Sequence, residues 1–125
     1  MIGYTTVGTN NLERAEAFYN DLLALLGARV MFRTHRGIGW GSVGAHPMFS
    51  VMLPFDGEPA TAGNGAMVAL QAENEELVQR VHTKALELGG QDEGAPGSRN
   101  GSFYGAYFRD LDGNKLAIYC MTGSN

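Results

Sequence analysis

The sequence holds one cysteine, Cys120, which excludes an intrachain disulfide and any zinc site built from clustered cysteines. Cations are also scarce. Nine Lys and Arg stand against thirteen Asp and Glu, and a net charge of −4 argues against a nucleic-acid groove. Arg29, Arg33 and Arg36 cluster, but a short basic stretch on an acidic chain reads as a solvated hairpin. No apolar run approaches the roughly 20 residues of a membrane-spanning helix. Met1-Ile2-Gly3-Tyr4 carries neither a basic segment nor a signal-type apolar stretch, so a cytoplasmic protein is expected. In that compartment the triplet Asn100-Gly101-Ser102 is not a glycosylation signal.

What remains is a globular balance. Apolar residues make up 44% of the 125 and charged residues 18%, enough for one core and not a disordered composition. Residues 2–8 suit a strand. Asn10 or Asn11 then caps a helix in which Leu12, Ala15, Tyr19, Leu22 and Leu26 recur at helical spacing, until Gly27 stops it. Three strand-like pieces follow, 28–34, 37–44 and 47–54, with turns at Arg36-Gly37 and 44–47.

A stretch rich in Gly, Pro, Ala and Thr, 55–65, divides the chain, and the same order of elements then repeats. A strand over 66–72 precedes a helix capped by Asn74, with Leu77, Val81, Ala85 and Leu88 on its buried stripe and Gly89-Gly90 after it. The segment 91–102 reads as irregular, with one short strand at most. Strands over 103–109 and 115–121 flank the hairpin signal Asp112-Gly113. The expected fold is α+β: one domain, 1–125, of two βαβββ modules (about 1–56 and 64–125), with helices outside a curled mixed sheet and a cleft inside.

Four stretches carry a resemblance to a known family: Asn11-Leu12-Glu13-Arg14-Ala15-Glu16-Ala17-Phe18-Tyr19, Leu22 to Gly27, Ala85 to Gly90, and Tyr107-Phe108-Arg109-Asp110-Leu111-Asp112-Gly113-Asn114-Lys115-Leu116. In this order they resemble the vicinal oxygen chelate superfamily, which contains glyoxalases, bleomycin-resistance proteins and ring-cleaving dioxygenases. In more detail, the sequence is similar to small bacterial members labelled lactoylglutathione-lyase-like. Such a label does not establish activity.

The resemblance implies four metal-ligand positions, normally filled by His, Glu or Gln. Here they fall on Tyr4, on Phe49 or Ser50, on Met67 or Ala69, and on Ala117. None is a usual ligand for the zinc, nickel, iron or manganese of the family. The three histidines, His35, His46 and His82, fall in turns and a helix. No protein-bound metal and no other cofactor is therefore expected.

Other motifs mislead. Gly39-Trp40-Gly41-Ser42-Val43-Gly44 matches a dinucleotide fingerprint but leads into a strand rather than a helix, so its glycines are read as allowing a bend or the close approach of ligand or backbone. Asp110 to Asn114 is similar in outline to a calcium loop, but Met121 stands where the bidentate Glu is needed. Strand alternation points Cys120 at the helices as a small core residue.

Facing the cleft, the sequence predicts Tyr4, Thr6, Trp40, Phe49, Tyr104 or Tyr107, and Tyr119, with Arg33 or Arg99 as an anion contact at the rim. Aromatic walls with a few hydroxyls suit a flat or amphipathic small molecule. The leading expectation is a metal-independent binding protein, comparable to the family's drug-sequestering members. The alternatives are a lyase or isomerase of the lactoylglutathione-lyase type and a non-catalytic interaction protein. The resemblance also implies a homodimer.

Overall fold

The computed structural model describes residues 1–42, 44 and 47–122. The order of elements is β1 (Tyr4–Gly8), α1 (Leu12–Ala24), β2 (Arg29–Arg33), β3 (Gly37–Gly41) and β4 (Met48–Met52), then β5 (Val68–Gln71), α2 (Glu75–Glu87), β6 (Gln91–Arg99), β7 (Phe103–Arg109) and β8 (Lys115–Met121). They form two four-stranded mixed sheets, ordered β1-β4-β3-β2 and β5-β8-β7-β6. In each, the strand before the helix pairs parallel with the last strand of its half, and the remaining pairs are antiparallel. Neither helix is long and apolar enough to cross a membrane.

Both helices begin as the sequence dictates. The Asn11 side chain accepts the Arg14 N–H at 3.0 Å and that of Asn74 accepts the Leu77 N–H at 2.9 Å, each cap worth about 1 kcal/mol. Below α1 lies an aromatic cluster. Tyr19 packs 4.8 Å from Phe49, 5.7 Å from Trp40 and 4.9 Å from Phe18, ring centre to ring centre. Below α2, Val78, Val81 and Ala85 meet Phe108, Leu116 and Ile118, all essentially buried. Cys120 lies in this second layer, 2% exposed, and burial pushes its thiol pKa up.

The two halves are joined by a polar knot. Asp110 and Asp112 sit on the β7–β8 hairpin, which docks into the turn between β1 and α1. Asp112 accepts from the Thr9 hydroxyl at 2.6 Å, the Asn10 N–H at 3.0 Å and Arg14 Nη2 at 2.9 Å. Asp110 accepts the Tyr19 hydroxyl at 2.5 Å, and Asn114 Nδ2 donates to the Gly8 carbonyl at 2.8 Å. Within the hairpin, the N–H groups of Asp112 and Asn114 hold the other Asp110 oxygen, each at 2.9 Å. Burial, followed by the charge of Asp110 and the hydrogen bond to it, raises the Tyr19 phenol pKa well above its ordinary value, so Tyr19 stays a donor.

One element departs from expectation. The irregular segment is β6, the longest strand at nine residues. Gly94, Pro96 and Gly97 hide its alternation, and register shifts around Gly94 absorb them. At its start Asp92 accepts the Gly94 N–H at 2.9 Å and lies 3.0 Å from His82 Nε2 of α2. The Gly94 N–H first, and His82 second, hold the Asp92 carboxyl below its usual range.

Two outcomes follow. Asp112→Ala strands the Thr9, Asn10 and Arg14 donors and is expected to lower unfolding stability by about 2–4 kcal/mol in urea titrations, against a negligible change if the knot is only decorative. Because the folded Asp92 pKa is depressed, its contribution is whole above the unfolded value of about 4 and drains as pH falls through the folded one. Asp92→Asn is expected to flatten the acid limb of a stability-versus-pH curve, and an unchanged limb would contradict the assignment.

Candidate functional site

The strand registers sort side chains onto two faces, one packed on the helices and one free of them. On β3, Ile38 and Trp40 share a face, so they go together to the core, and Gly37, Gly39 and Gly41 take the helix-free face. Trp40 is 1% exposed and donates its indole N–H to Asn20 Oδ1 of α1 at 2.8 Å. Phe49, paired with Trp40 and Thr5, is 7% exposed beneath α1. Both predictions that these rings face the cleft are therefore corrected. A glycine on every second position of β3 already marks Trp40 as the core side of that strand.

Arg33 is a third correction. A bulge between Val30 and Phe32 reverses the alternation along β2, so Arg33 pairs with Ile38 on the helix side and forms an ion pair with Glu16 of α1 at 2.6 Å. The same bulge brings Phe32 to the helix-free face, a residue that strict alternation misses. Phe32 fills the place of a Gly39 side chain, and Met52 that of Gly37; a β-carbon at either glycine would collide with them. The β3 glycines thus admit neighbouring side chains rather than a ligand. Of the dinucleotide-like motif, Val43 lies outside the described residues, as does His46.

Tyr4 and Thr6 of β1 lie on the helix-free face, level with Met48 and Ser50 of β4. In the second half, Tyr104 turns to α2, where Gln79 Nε2 donates to its hydroxyl at 2.9 Å. Tyr107, paired with Ala117, and Tyr119, two residues along β8 and paired with Gly105, take the helix-free face. Tyr119 stacks on Phe103 with ring centres 5.0 Å apart. Arg99 and Lys115 approach the Tyr107 ring at 5.5 and 5.4 Å from its centre. No single cavity joins Tyr4, Trp40 and Tyr119, because Trp40 is on the other side of its sheet.

Most of the cavities follow the connector 53–67, which runs over the helix-free side of the seam between the halves, while another of about 530 Å³ lies against α2, lined by Leu25, Gln79, Arg80 and Thr83. One of about 560 Å³ is lined by Tyr4, Thr6, Met52, Phe55 and Arg36. A smaller one of about 190 Å³ lies between Thr6 and Gly8 on one side and Met67 and Lys115 on the other. A third of about 530 Å³ is lined by Ala62 to Met67, Arg109 and Lys115. The first shares Thr6, Gly8 and Thr61 with the second, and the second shares Ala62, Ala66, Met67 and Lys115 with the third. Together they make a trough of a size suited to small molecules.

The family-type metal positions do not fit a metal. Of the paired alternatives, Ser50 and not Phe49 is on the helix-free face, and its hydroxyl donates to the Thr5 carbonyl at 2.7 Å. Ala69 and Ala117 are register partners and carry no donor atom, and Met67 and Tyr4 lie half-exposed to either side. Among the described residues no group of three His, Cys, Asp or Glu could hold a metal ion.

The family model described as Glyoxalase/Bleomycin resistance protein/Dioxygenase superfamily matches residues 1–118. A glyoxalase/bleomycin resistance protein from Albidiferax ferrireducens superposes with a TM-score of 0.89 at 34% identity, over 96% of this chain and 98% of that one. A putative glyoxalase from Bacillus halodurans gives 0.75 at 21% identity, over 96% and 95%. A lactoylglutathione lyase from Agrobacterium tumefaciens gives 0.70 at 19%, over 96% and 92%, a likeness of fold alone. No curated protein matches the chain.

Trp40 is the sole tryptophan, so its burial has a direct readout. Native fluorescence is expected to be blue-shifted and nearly insensitive to acrylamide until the protein unfolds. Strong quenching of the folded protein would return the ring to the cleft.

Proposed function

The chain belongs to the Glyoxalase/Bleomycin resistance protein/Dioxygenase superfamily, and we propose that within it the protein binds a small amphipathic or aromatic molecule along the trough without a protein-bound metal. The observation that carries this reading is the pairing of Ala69, on the edge strand β5, with Ala117 of β8 on the helix-free face, beside cavities lined by Tyr4, Thr6, Met52 and Met67. A ligand there gains apolar area from Met52, Met67 and Phe55 and orientation from the Tyr4 and Thr6 hydroxyls. Among the sequence-predicted residues, Tyr4 and Thr6 line the trough and are the proposed contacts, and Tyr107 and Tyr119, on the helix-free face of the second sheet, would extend the site beyond it. Trp40 and Phe49 belong to the core instead, Tyr104 packs against it, and Arg33 is an exposed partner of Glu16.

The reading includes a homodimer in the cytoplasm. Tyr4, Met31, Met67 and Met121 are 43–57% exposed, and Phe55 is 90% exposed. Apolar side chains gathered on one side of a small domain favour a partner surface. The lone buried cysteine is at ease in a reducing compartment. Light scattering on a sizing column is expected to return twice the chain mass; a monomer at micromolar concentration would remove the dimer from the account.

The binding reading is tested by thermal shift against a panel of aromatic and amphipathic compounds, with and without EDTA. Hits whose shifts survive the chelator are expected, and Thr6→Val with Tyr4→Ala should weaken them. Stoichiometric zinc, nickel, iron or manganese in the purified protein, or shifts abolished by EDTA, would overturn it.

A further inference from the structure

Each end of the trough carries a cation over an aromatic ring. Arg36 lies 5.3 Å from the Phe55 ring centre and donates to the Leu53 carbonyl at 2.8 Å, and Lys115 stands at the other end. Arg109 and Lys115 are register partners across the β7–β8 hairpin, and Tyr107 stands two residues along the same face. Lys115 Nζ lies 5.4 Å above the Tyr107 ring centre, and Arg99 Cζ 5.5 Å from it. Two cations therefore face one aromatic ring, with Arg109 beside them, in a chain whose net charge is −4.

Their partners are unequal. Arg109 reaches Glu93 with Nε at 3.5 Å and donates from Nη1 to the Gly113 carbonyl at 2.9 Å. Arg99 spends its guanidinium on the carbonyls of Ala95, Gly97 and Gly105, at 2.7–3.1 Å. Lys115 forms no ion pair with any described residue. It is partly buried, and it lines both the 190 Å³ and the 530 Å³ cavities. A half-desolvated ammonium held on an aromatic face and open to two cavities lacks only an acceptor.

We propose that Lys115, supported by Arg109, is an anion-recognition subsite. On this proposal the trough selects organic monoanions, with the charged head at Lys115 and the apolar body along Ala62, Ala66 and Met67 towards Thr6. One ammonium without a carboxylate partner matches a single negative charge, and Glu93 offsets Arg109. Ala62, Ala66 and Met67 beside Lys115 offer apolar contact to a hydrocarbon part, which a bare ion would leave unused. The inference rests on the binding reading above and adds charge selectivity to it.

A pair of dyes that differ by one anionic group tests it: 8-anilinonaphthalene-1-sulfonate and its neutral counterpart N-phenyl-1-naphthylamine, titrated by fluorescence at low and moderate salt. The sulfonate is expected to bind the native protein more tightly, and Lys115→Gln to weaken it about tenfold while leaving the neutral dye unchanged. Retained affinity for the neutral dye reports an intact trough in the variant. Arg29→Gln, exposed on β2 and lining none of these cavities, should alter neither dye. Equal binding of the two dyes, or equal losses for both in Lys115→Gln, would overturn the anion subsite and leave the binding reading standing. Stronger displacement of the sulfonate by 1-naphthyl phosphate than by 1-naphthoate would overturn its monoanion selectivity. Binding of neither dye would remove the binding reading itself.

Discussion

Two aspartates of one hairpin fix how the halves of this protein meet. The Asp112 side chain is only 4% exposed and caps the donors of the β1–α1 turn, and Asp110 holds Tyr19 of α1. Buried carboxylates are costly unless their lone pairs are filled, and here hydroxyls, amides, backbone N–H groups and Arg14 fill them. Such a network has one satisfying arrangement. It therefore sets the position of β8 relative to β1, and with it the seam on which the trough lies.

The rest of the site follows from that seam. With Asn114 tied to the Gly8 carbonyl, the neighbouring Lys115 is brought across from Thr6, and the connector 53–67 crosses above them. In the first half, the alternating glycines of β3 let Phe32 and Met52 close down on the sheet, so that side of the helix-free face is filled by the protein itself. In the second half, small Ala69 and Ala117 keep the sheet low, and the cations stand around Tyr107. The two ends of one trough thus differ. In the first, Arg36 is engaged by the Leu53 carbonyl beside Tyr4 and Thr6. In the second, Lys115 has no ion-pair partner among the described residues.

Much of this was legible from residue patterns. The caps at Asn11 and Asn74, both helix stripes, the parity of β8 and the hairpin at Asp112-Gly113 rest on local rules, and local rules reach that far. Three features were not. Strict alternation fails at the bulge in β2, which exchanges Phe32 for Arg33 on the helix-free face. The pattern Gly-Ile-Gly-Trp-Gly was read for its glycines when its two large side chains held the information. The strand β6 was masked by Gly and Pro at its bulges. The role of Asp110 and Asp112 was invisible for another reason: their partners lie 91 and 103 residues away, so sequence spacing marks the hairpin and not what it grips.

The central claim is that binding takes place on the helix-free seam under the connector, with no ligated metal. A crystal structure of the protein soaked with an aromatic monoanion, with anomalous data collected for transition metals, addresses it directly. The account predicts the ring beside Thr6 and Met67, the charged head at Lys115, and no anomalous peak within bonding distance of Tyr4, Ser50, Ala69 or Ala117. A metal peak among those four residues, or a ligand seated against Trp40, would contradict it.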